Sequence, residues 1–371
     1  MTPEKRKEIL DNNNLIINRV MEEINKKCPD SIDMVAISGS FCNGLYYEKS
    51  DLDLFILANS KEAEIISKCF ILDDIGQDIY ITYWDRLEEM SEYNNPFVSK
   101  LKKLDIIYTK NEDVLKRYKN IQQKLNTNMN DDRMINSKIG KYLGKVIYLK
   151  NKIQNDNNLD NSYRLLGLII DEIEKIIYLI NKKYIEGGTK SIPKEISKMN
   201  ILPNNFLENY LKLVECTDTS QIKEKVQLVT DSLKKYFIDN NIKIEQYTEK
   251  EETILVKKDI TREDLIGTYE ELFSNYYNKL YHAYNINNKY LSFRTMIDAQ
   301  RFFDEFYNEY NIPKFNLIEK YNPNDLKENA ETFSKYLSKW KKLYDTFGLE
   351  IEKYNSIDEL YKENKQLIKT K

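Results

Sequence analysis

An apolar run closes on Ile37-Ser38-Gly39-Ser40-Phe41-Cys42-Asn43-Gly44, and about ten residues later comes Ser50-Asp51-Leu52-Asp53-Leu54. The second stretch continues into Phe55-Ile56-Leu57, so it reads as a β-strand from Asp51 to Ala58. In a strand, residues i and i+2 share a face, so Asp51 and Asp53 project together while Leu52, Leu54 and Ile56 face the other way. Gly39 lets the backbone come close to an anion, and Ser40 adds a hydroxyl donor. A helix starting near Phe41 would aim free N–H groups and its positive dipole end at the same place.

Two adjacent carboxylates repel unless they share a proton or a cation. A pair of Mg²⁺ ions bridged to triphosphate oxygens is the usual resolution. The segment from Gly39 to Leu54 resembles the signature of the nucleotidyltransferase superfamily that includes DNA polymerase β. More narrowly, it is similar to bacterial aminoglycoside and lincosamide nucleotidyltransferases, with Gly39, Ser40, Phe41, Gly44, Ser50, Asp51 and Asp53 matching position by position. Cys42 stands where alanine is usual, and Asn43 where arginine is frequent. The signature spans Gly39 to Leu54, and the wider resemblance reaches through the first third of the chain.

The chain has 371 residues, is 41% hydrophobic and 32% charged, and carries a net charge of -3. That length suits two or three domains. The near-neutral balance disfavours a dedicated nucleic-acid binder without excluding local basic patches. Cys28, Cys42, Cys69 and Cys216 show no Cys-x-x-Cys spacing, and His282 is the sole histidine, which removes multi-histidine metal chemistry. Its plain reading is one more polar residue on a helix. The N-terminus lacks an apolar h-region, and no run approaches membrane-spanning length, so a cytoplasmic protein with no membrane partner is expected.

The pattern predicts an α+β protein. Residues 1–126 read as a nucleotidyltransferase domain with a small mixed sheet. Helix Glu4–Lys27 comes first, with Ile9, Leu15, Ile16, Val20 and Ile24 on one face. Strands follow at Met34–Ser38, Asp51–Ala58, Asp78–Trp84 and Asp105–Thr109, with helices at Glu62–Cys69 and Glu112–Leu125. Asn126–Asp132 reads as a linker. Residues 132–245 form an acceptor-side helical bundle centred on the helix Ser162–Tyr184, which Gly187-Gly188 ends. After the charged run Glu249–Glu252, residues 255–371 make a second helical module, with Phe302, Phe303 and Phe306 on one side of helix Asp298–Tyr310.

The resemblance implies a third acidic residue on a neighbouring strand as metal ligand. Asp78 is the best match, with Asp73 and Asp74 as competitors in the turn before Gly76. Some relatives place a carboxylate of the helical domain near the acceptor, which makes Glu172 and Glu174 weak candidates for the base. The bland alternative for Asp171, Glu172 and Glu174 is a solvated stripe. Lys182, Lys183 and Lys190 are loose phosphate candidates beside their ordinary role at a helix end.

The implied reaction is transfer of a nucleoside monophosphate, AMP from ATP, to a hydroxyl. Gly39, Ser40 and Ser50 would hold the nucleotide, and Asp51, Asp53 and Asp78 two Mg²⁺ ions. The acceptor is expected to be a small hydroxylated molecule, aminoglycoside-like, as in antibiotic resistance. Its acidic cleft would come from Asp171–Glu174 and Glu270-Glu271. Rival readings are a toxin-like enzyme that modifies a protein or tRNA, and an inactive nucleotide-binding regulator.

Overall fold

A computed structural model describes residues 2–249, 256–356 and 359–360. Of the charged run Glu249–Glu252, residues 250–252 lie outside the described residues, as does the end of the last module. The α+β class expected from the pattern is the one observed.

Thr2 caps α1 (Pro3–Lys27) by accepting from the Lys5 N–H at 3.3 Å, with Pro3 in the first turn. Its buried face carries Ile9, Ile16, Ile17, Val20 and Ile24, whereas Leu15 is exposed. Strand β1 (Ile32–Ile37) runs into a short helix α2 (Gly39–Asn43), which Gly44 ends in the left-handed conformation. Strand β2 (Leu54–Ala58) pairs antiparallel with β1. The expected strand start at Asp51 is a correction: Asp51 to Asp53 precede the ladder in irregular chain, where the Leu54 N–H bonds back to the Leu52 carbonyl at 3.0 Å. The expected crossover helix Glu62–Cys69 is a 3-10 turn over Lys61–Ile66 followed by β3 (Lys68–Leu72).

Strand β4 (Ile75–Ile79) returns on β3, and Asp73 and Asp74 take positive φ in the two-residue turn, as a tight hairpin requires. The strand expected over Asp78–Trp84 divides at Tyr80. Asp78 and Ile79 end β4, while β5 (Ile81–Tyr83) joins β2 in parallel and Trp84 opens α3 (Trp84–Ser91). One continuous sequence thus serves two sheets. After α4 (Ser99–Lys102), β6 (Asp105–Thr109) completes the four-stranded sheet in the order β5-β2-β1-β6.

Helix α5 (Glu112–Met129) absorbs most of the expected linker, because Tyr118, Ile121, Leu125 and Met129 continue one buried stripe at helical spacing. Asp131 then caps α6 (Asp132–Gln154) by accepting from the Arg133 and Met134 N–H groups. Helix α7 (Leu159–Ile180) is buried along most of its length. It stops at Asn181, short of the expected Tyr184 and Gly187-Gly188. Lys182 turns left-handed there, and the Lys182 and Lys183 N–H groups bond back to the Leu179 and Tyr178 carbonyls.

Short α8 (Ile192–Ile196) and α9 (Phe206–Lys212) lead to α10 (Thr219–Asp239). Beyond residue 256 come α11 (Arg262–Leu265), α12 (Thr268–Leu272), α13 (Asn278–Asn285), α14 (Lys289–Glu309) and α15 (Leu326–Thr346). Phe302, Phe303 and Phe306 pack with Trp340 in the interior, as the sequence suggests.

Alternation along the strands buries both sheet faces. Val35, Leu54 and Ile56 face α1, whereas Met34, Ala36, Phe55 and Leu57 join one apolar core that runs through α7 to Tyr344 on α15. All three expected segments therefore contribute to a common interior. The last strand, β7 (Lys353–Tyr354), pairs in parallel with β3. A Cβ on Gly76 of β4 would lie 2.4 Å from Ser274 Cα, so the segment joining α12 to α13 lies directly on that hairpin. The chain's C-terminal part thereby covers the region that begins at Gly39.

Candidate active site

Ser38 anchors the corner between β1 and α2, donating from N–H at 2.9 Å and from Oγ at 3.2 Å to the Asp53 carbonyl. This clamps the Gly-Ser turn onto the Asp-x-Asp segment. Gly39 adopts φ +65°, and a Cβ there would sit 1.8 Å from Asp53 Oδ2. The Ser40 N–H is bonded to the Asp53 carboxylate. A five-residue α2 has little dipole to offer, so the close backbone approach at Gly39 is the stronger feature.

Asp51, Asp53, Gly39, Ser40 and Ser50 line one cavity of about 550 Å³. Burial first, and then the charge of Asp51, pushes the Asp53 carboxyl up to about 6, with Lys279, the Ser40 N–H and Lys100 opposing. Ser50 is buried and its Oγ accepts from the Tyr47 N–H at 2.9 Å, fixing the turn ahead of Asp51.

Asp78 lies close by but is not part of the cavity wall. The charges of Asp51, Lys100 and Lys279 all act on it. Its Oδ1 accepts from the Cys69 thiol at 3.2 Å, and burial followed by the charge of Asp51 holds its pKa above the ordinary value. Asp73 and Asp74 stay in the hairpin turn, where Asp74 pairs with Lys353 at 2.7 Å.

Glu172 and Glu174 do not reach the cavity, and they are not a solvated stripe either. Glu174 is buried, accepts from the Tyr210 and Tyr290 hydroxyls at 2.8 and 2.5 Å, and lies 3.9 Å from Arg294. Glu172 pairs with Lys145 and Lys175 at 2.8 and 3.1 Å. Asp171 is held by Arg294 and Arg301 at 2.5 and 2.6 Å. Both arginines come from α14, so their role on α7 was invisible in local sequence. Glu270 is likewise buried, accepting from the Glu352 N–H and the Tyr344 hydroxyl. Glu174→Gln is expected to lower stability by about 1–3 kcal/mol, since it weakens a buried network. Turnover per folded molecule should stay within about threefold; a hundredfold loss without unfolding would return Glu174 to the base role.

The cavity's other walls come from far along the chain. Asn43 donates to the Glu186 carbonyl and so pins the 186–190 segment against α2. Lys190 then reaches the Leu45 carbonyl at 2.6 Å and lies 5.4 Å from the Tyr47 ring centroid. His282 of α13 stacks on Tyr47 at 3.9 Å with planes 13° apart, and burial lowers its pKa. Lys279 lies one turn before it, and Leu291, Thr295 and Asp298 of α14 close the cavity. Lys182 pairs with Asp132 at 2.9 Å and Lys183 is exposed, so of the three loose lysine candidates Lys190 lines the cavity. Lys100 sits 4.2 Å from the Tyr80 ring centroid, and burial pushes it down to about 8 against the pull of Asp53.

The donor set suits a hard divalent cation: two carboxylates face the same cavity, and burial first and then the charge of Asp51 raise the Asp53 pKa. Among the described residues no group of three or more His, Cys, Asp or Glu is arranged to hold a metal. Substrate oxygens and water would complete the shell, as Mg²⁺ sites commonly allow.

A glycine pressed against a paired aspartate opens with it on a cavity beside the mixed sheet. Residues 17–156 match the family model of the nucleotidyltransferase domain. The chain carries that domain, and it is a nucleotidyltransferase. A solved structure of a nucleotidyltransferase-like protein from Exiguobacterium sibiricum 255-15 aligns with 59% of this chain and 72% of its own, at 10% identity and a TM-score of 0.34. No curated protein matches the chain. The domain implies a nucleoside triphosphate as substrate. Among the described residues no helix is long and apolar enough to cross a membrane.

Proposed function

We propose that the enzyme transfers AMP from ATP, with Mg²⁺, to a hydroxyl of a small aminoglycoside-like acceptor. The observation that carries this reading is the contact of Gly39 with Asp53 at the wall of a cavity shared with Asp51, Ser40 and Ser50. Asp51 and Asp53 would hold the metal, whose charge, when bound, neutralises the triphosphate and the departing pyrophosphate. The Ser40 hydroxyl would orient phosphate oxygens, and the absent side chain at Gly39 lets the Asp53 carboxylate lie against the turn.

Asp78 accepts from the Cys69 thiol and feels the charge of Asp51. Its proposed work is to accept the acceptor hydroxyl's proton on its carboxylate as that oxygen attacks. Asp78→Asn is expected to lower turnover about tenfold to hundredfold, in the range of general-base contributions. An unchanged rate would remove Asp78 from the site.

The acceptor half of the reading rests on the cavity's other walls. Glu186 and Asp298, the latter paired with Arg301 at 3.1 Å, also line the cavity, and carboxylates there suit a cationic aminoglycoside. The test is incubation with labelled ATP, Mg²⁺ and a panel of aminoglycosides and lincosamides, beside RNA and self-modification controls. Label on one small molecule supports the proposal. Label confined to RNA or protein overturns the acceptor while keeping the transfer chemistry.

A further inference from the structure

We propose that Lys279 and Lys190, both outside the nucleotidyltransferase domain, form a cationic clamp that grips the outer phosphates of the nucleoside triphosphate. This rests on the nucleotidyl-transfer reading above and adds to it the residues that separate triphosphate from monophosphate.

The charge arrangement in the cavity leads to this assignment. Asp51 and Asp53 put two negative charges on one wall, and a metal ion answers those, not the outer phosphates. The domain's own turn supplies no compensating cation: Asn43 occupies the position after Cys42 and is spent on the Glu186 carbonyl. That bond has a consequence. It docks the 186–190 segment on α2 and so delivers Lys190, which the Leu45 carbonyl and the Tyr47 ring hold over the cavity.

Lys279 arrives independently, from α13. Among the described residues its ammonium makes no ion pair, although it lines the cavity and its charge acts on Asp53, Asp78 and Asp298. Burial lowers the Lys190 pKa first, Asp51 and Asp53 raise it, and Lys279 lowers it further, so the two lysines also feel each other. Two ammonium groups close enough to repel, facing one cavity and joined by no carboxylate bridge, are best relieved by a polyanion between them. Lysine serves such a site as a point charge on phosphate.

The stack of His282 on Tyr47 makes the placement firm. His282 lies three residues after Lys279 on the same helix, so the ring contact fixes the face of α13 that turns to the cavity. The helix is seated in turn by the Asn278 amide on the Asp74 carbonyl at 3.0 Å. Lys279 is therefore presented by a braced helix, not by a free surface.

The test is nucleotide affinity in the full chain with Mg²⁺, using α,β-methylene triphosphates of the four nucleosides and the matching monophosphates. The wild-type protein is expected to prefer a triphosphate. Lys279→Gln should weaken triphosphate binding about tenfold or more and leave the monophosphate unchanged, since one charge-assisted contact is lost. Lys190→Gln should do the same, Lys279→Arg should restore part of the affinity, and Lys182→Gln, which lies at the Asp132 pair, should alter neither ligand.

If Lys279→Gln retains the wild-type preference, the clamp is wrong and the nucleotidyl-transfer reading stands. Equal loss of triphosphate and monophosphate would make Lys279 a structural residue, which also overturns the clamp. Failure of the wild-type chain to bind any of these nucleotides would overturn the reading itself, and the clamp with it.

Discussion

Asp53→Asn should abolish nucleotidyl transfer and, in the presence of a chelator, make the folded chain more stable at pH 8. The two effects share one cause. Asp53 shares the cavity wall with Asp51, and burial first and then the charge of Asp51 push its carboxyl from an ordinary 3.8 up to about 6. An acid whose folded pKa lies above its unfolded value favours the folded state when protonated. That advantage is complete below pH 3.8 and is lost as pH rises through about 6. At pH 8 the ionised carboxylate therefore costs up to about 3 kcal/mol, taking about two pK units at 1.36 kcal/mol each. The amide keeps an acceptor for the Ser40 N–H and removes the charge.

The expected signature is a melting temperature several degrees higher than wild type at pH 8, with the gap closing towards pH 4. Activity should fall by at least about a thousandfold, because the hard-cation donor pair is halved. Parallel melting curves for the two proteins from pH 4 to pH 8 would contradict the buried, repelled carboxylate. Retained turnover would contradict the site. A stability gain bought with lost chemistry is the usual mark of a strained active site.

Local signals carried the parts of this molecule that depend on local physics. Alternation named β1, β2 and β6, helical spacing named α1, α7 and α14, and the Gly-Ser and Asp-x-Asp pair located Gly39, Ser40, Ser50, Asp51 and Asp53 on one cavity. What local pattern missed was decided by distant partners. Residues 78–84 have uniform β-preference, yet the run divides at Tyr80 because β4 belongs to β3 and β5 to β2. The acidic residues of α7 look solvated until Arg294 and Arg301 arrive from α14.

Lys279, His282 and Asp298 enter the cavity from more than two hundred residues downstream of the aspartate pair. Faint signals were present. Leu291, Thr295 and Asp298 share a helix face at i, i+4 and i+7, and Lys279 and His282 share another at i, i+3. Such spacing shows which residues travel together without showing what they meet. The meeting depends on β7 closing onto β3 and on the segment before α13 lying over Gly76.

Gly39→Ala should be nearly as damaging as losing the aspartate, for a steric reason that a double-mutant cycle can isolate. At φ +65° any side chain is strained, at about 1 kcal/mol or more. The new methyl would also lie 1.8 Å from Asp53 Oδ2 and 2.5 Å from its Cγ. These are positions that real atoms do not occupy, so either the turn or Asp53 must move. A turn held by both Ser38 bonds to the Asp53 carbonyl cannot shift without breaking them.

We expect Gly39→Ala to cost about 2–4 kcal/mol of stability and to remove turnover, since either movement displaces Asp53 from Asp51. Asp53→Ala deletes the Oδ2 and Cγ atoms in the clash but leaves its own Cβ, 2.9 Å from the new methyl. The double variant should therefore be more stable than the sum of the single changes implies, by about 1–2 kcal/mol, and still less stable than Asp53→Ala alone because the backbone strain remains. Denaturant melts of the four proteins measure that coupling. A coupling near zero would mean that Gly39 is required for its backbone conformation alone, and the contact between the turn and the carboxylate would cease to be the organising feature of the site.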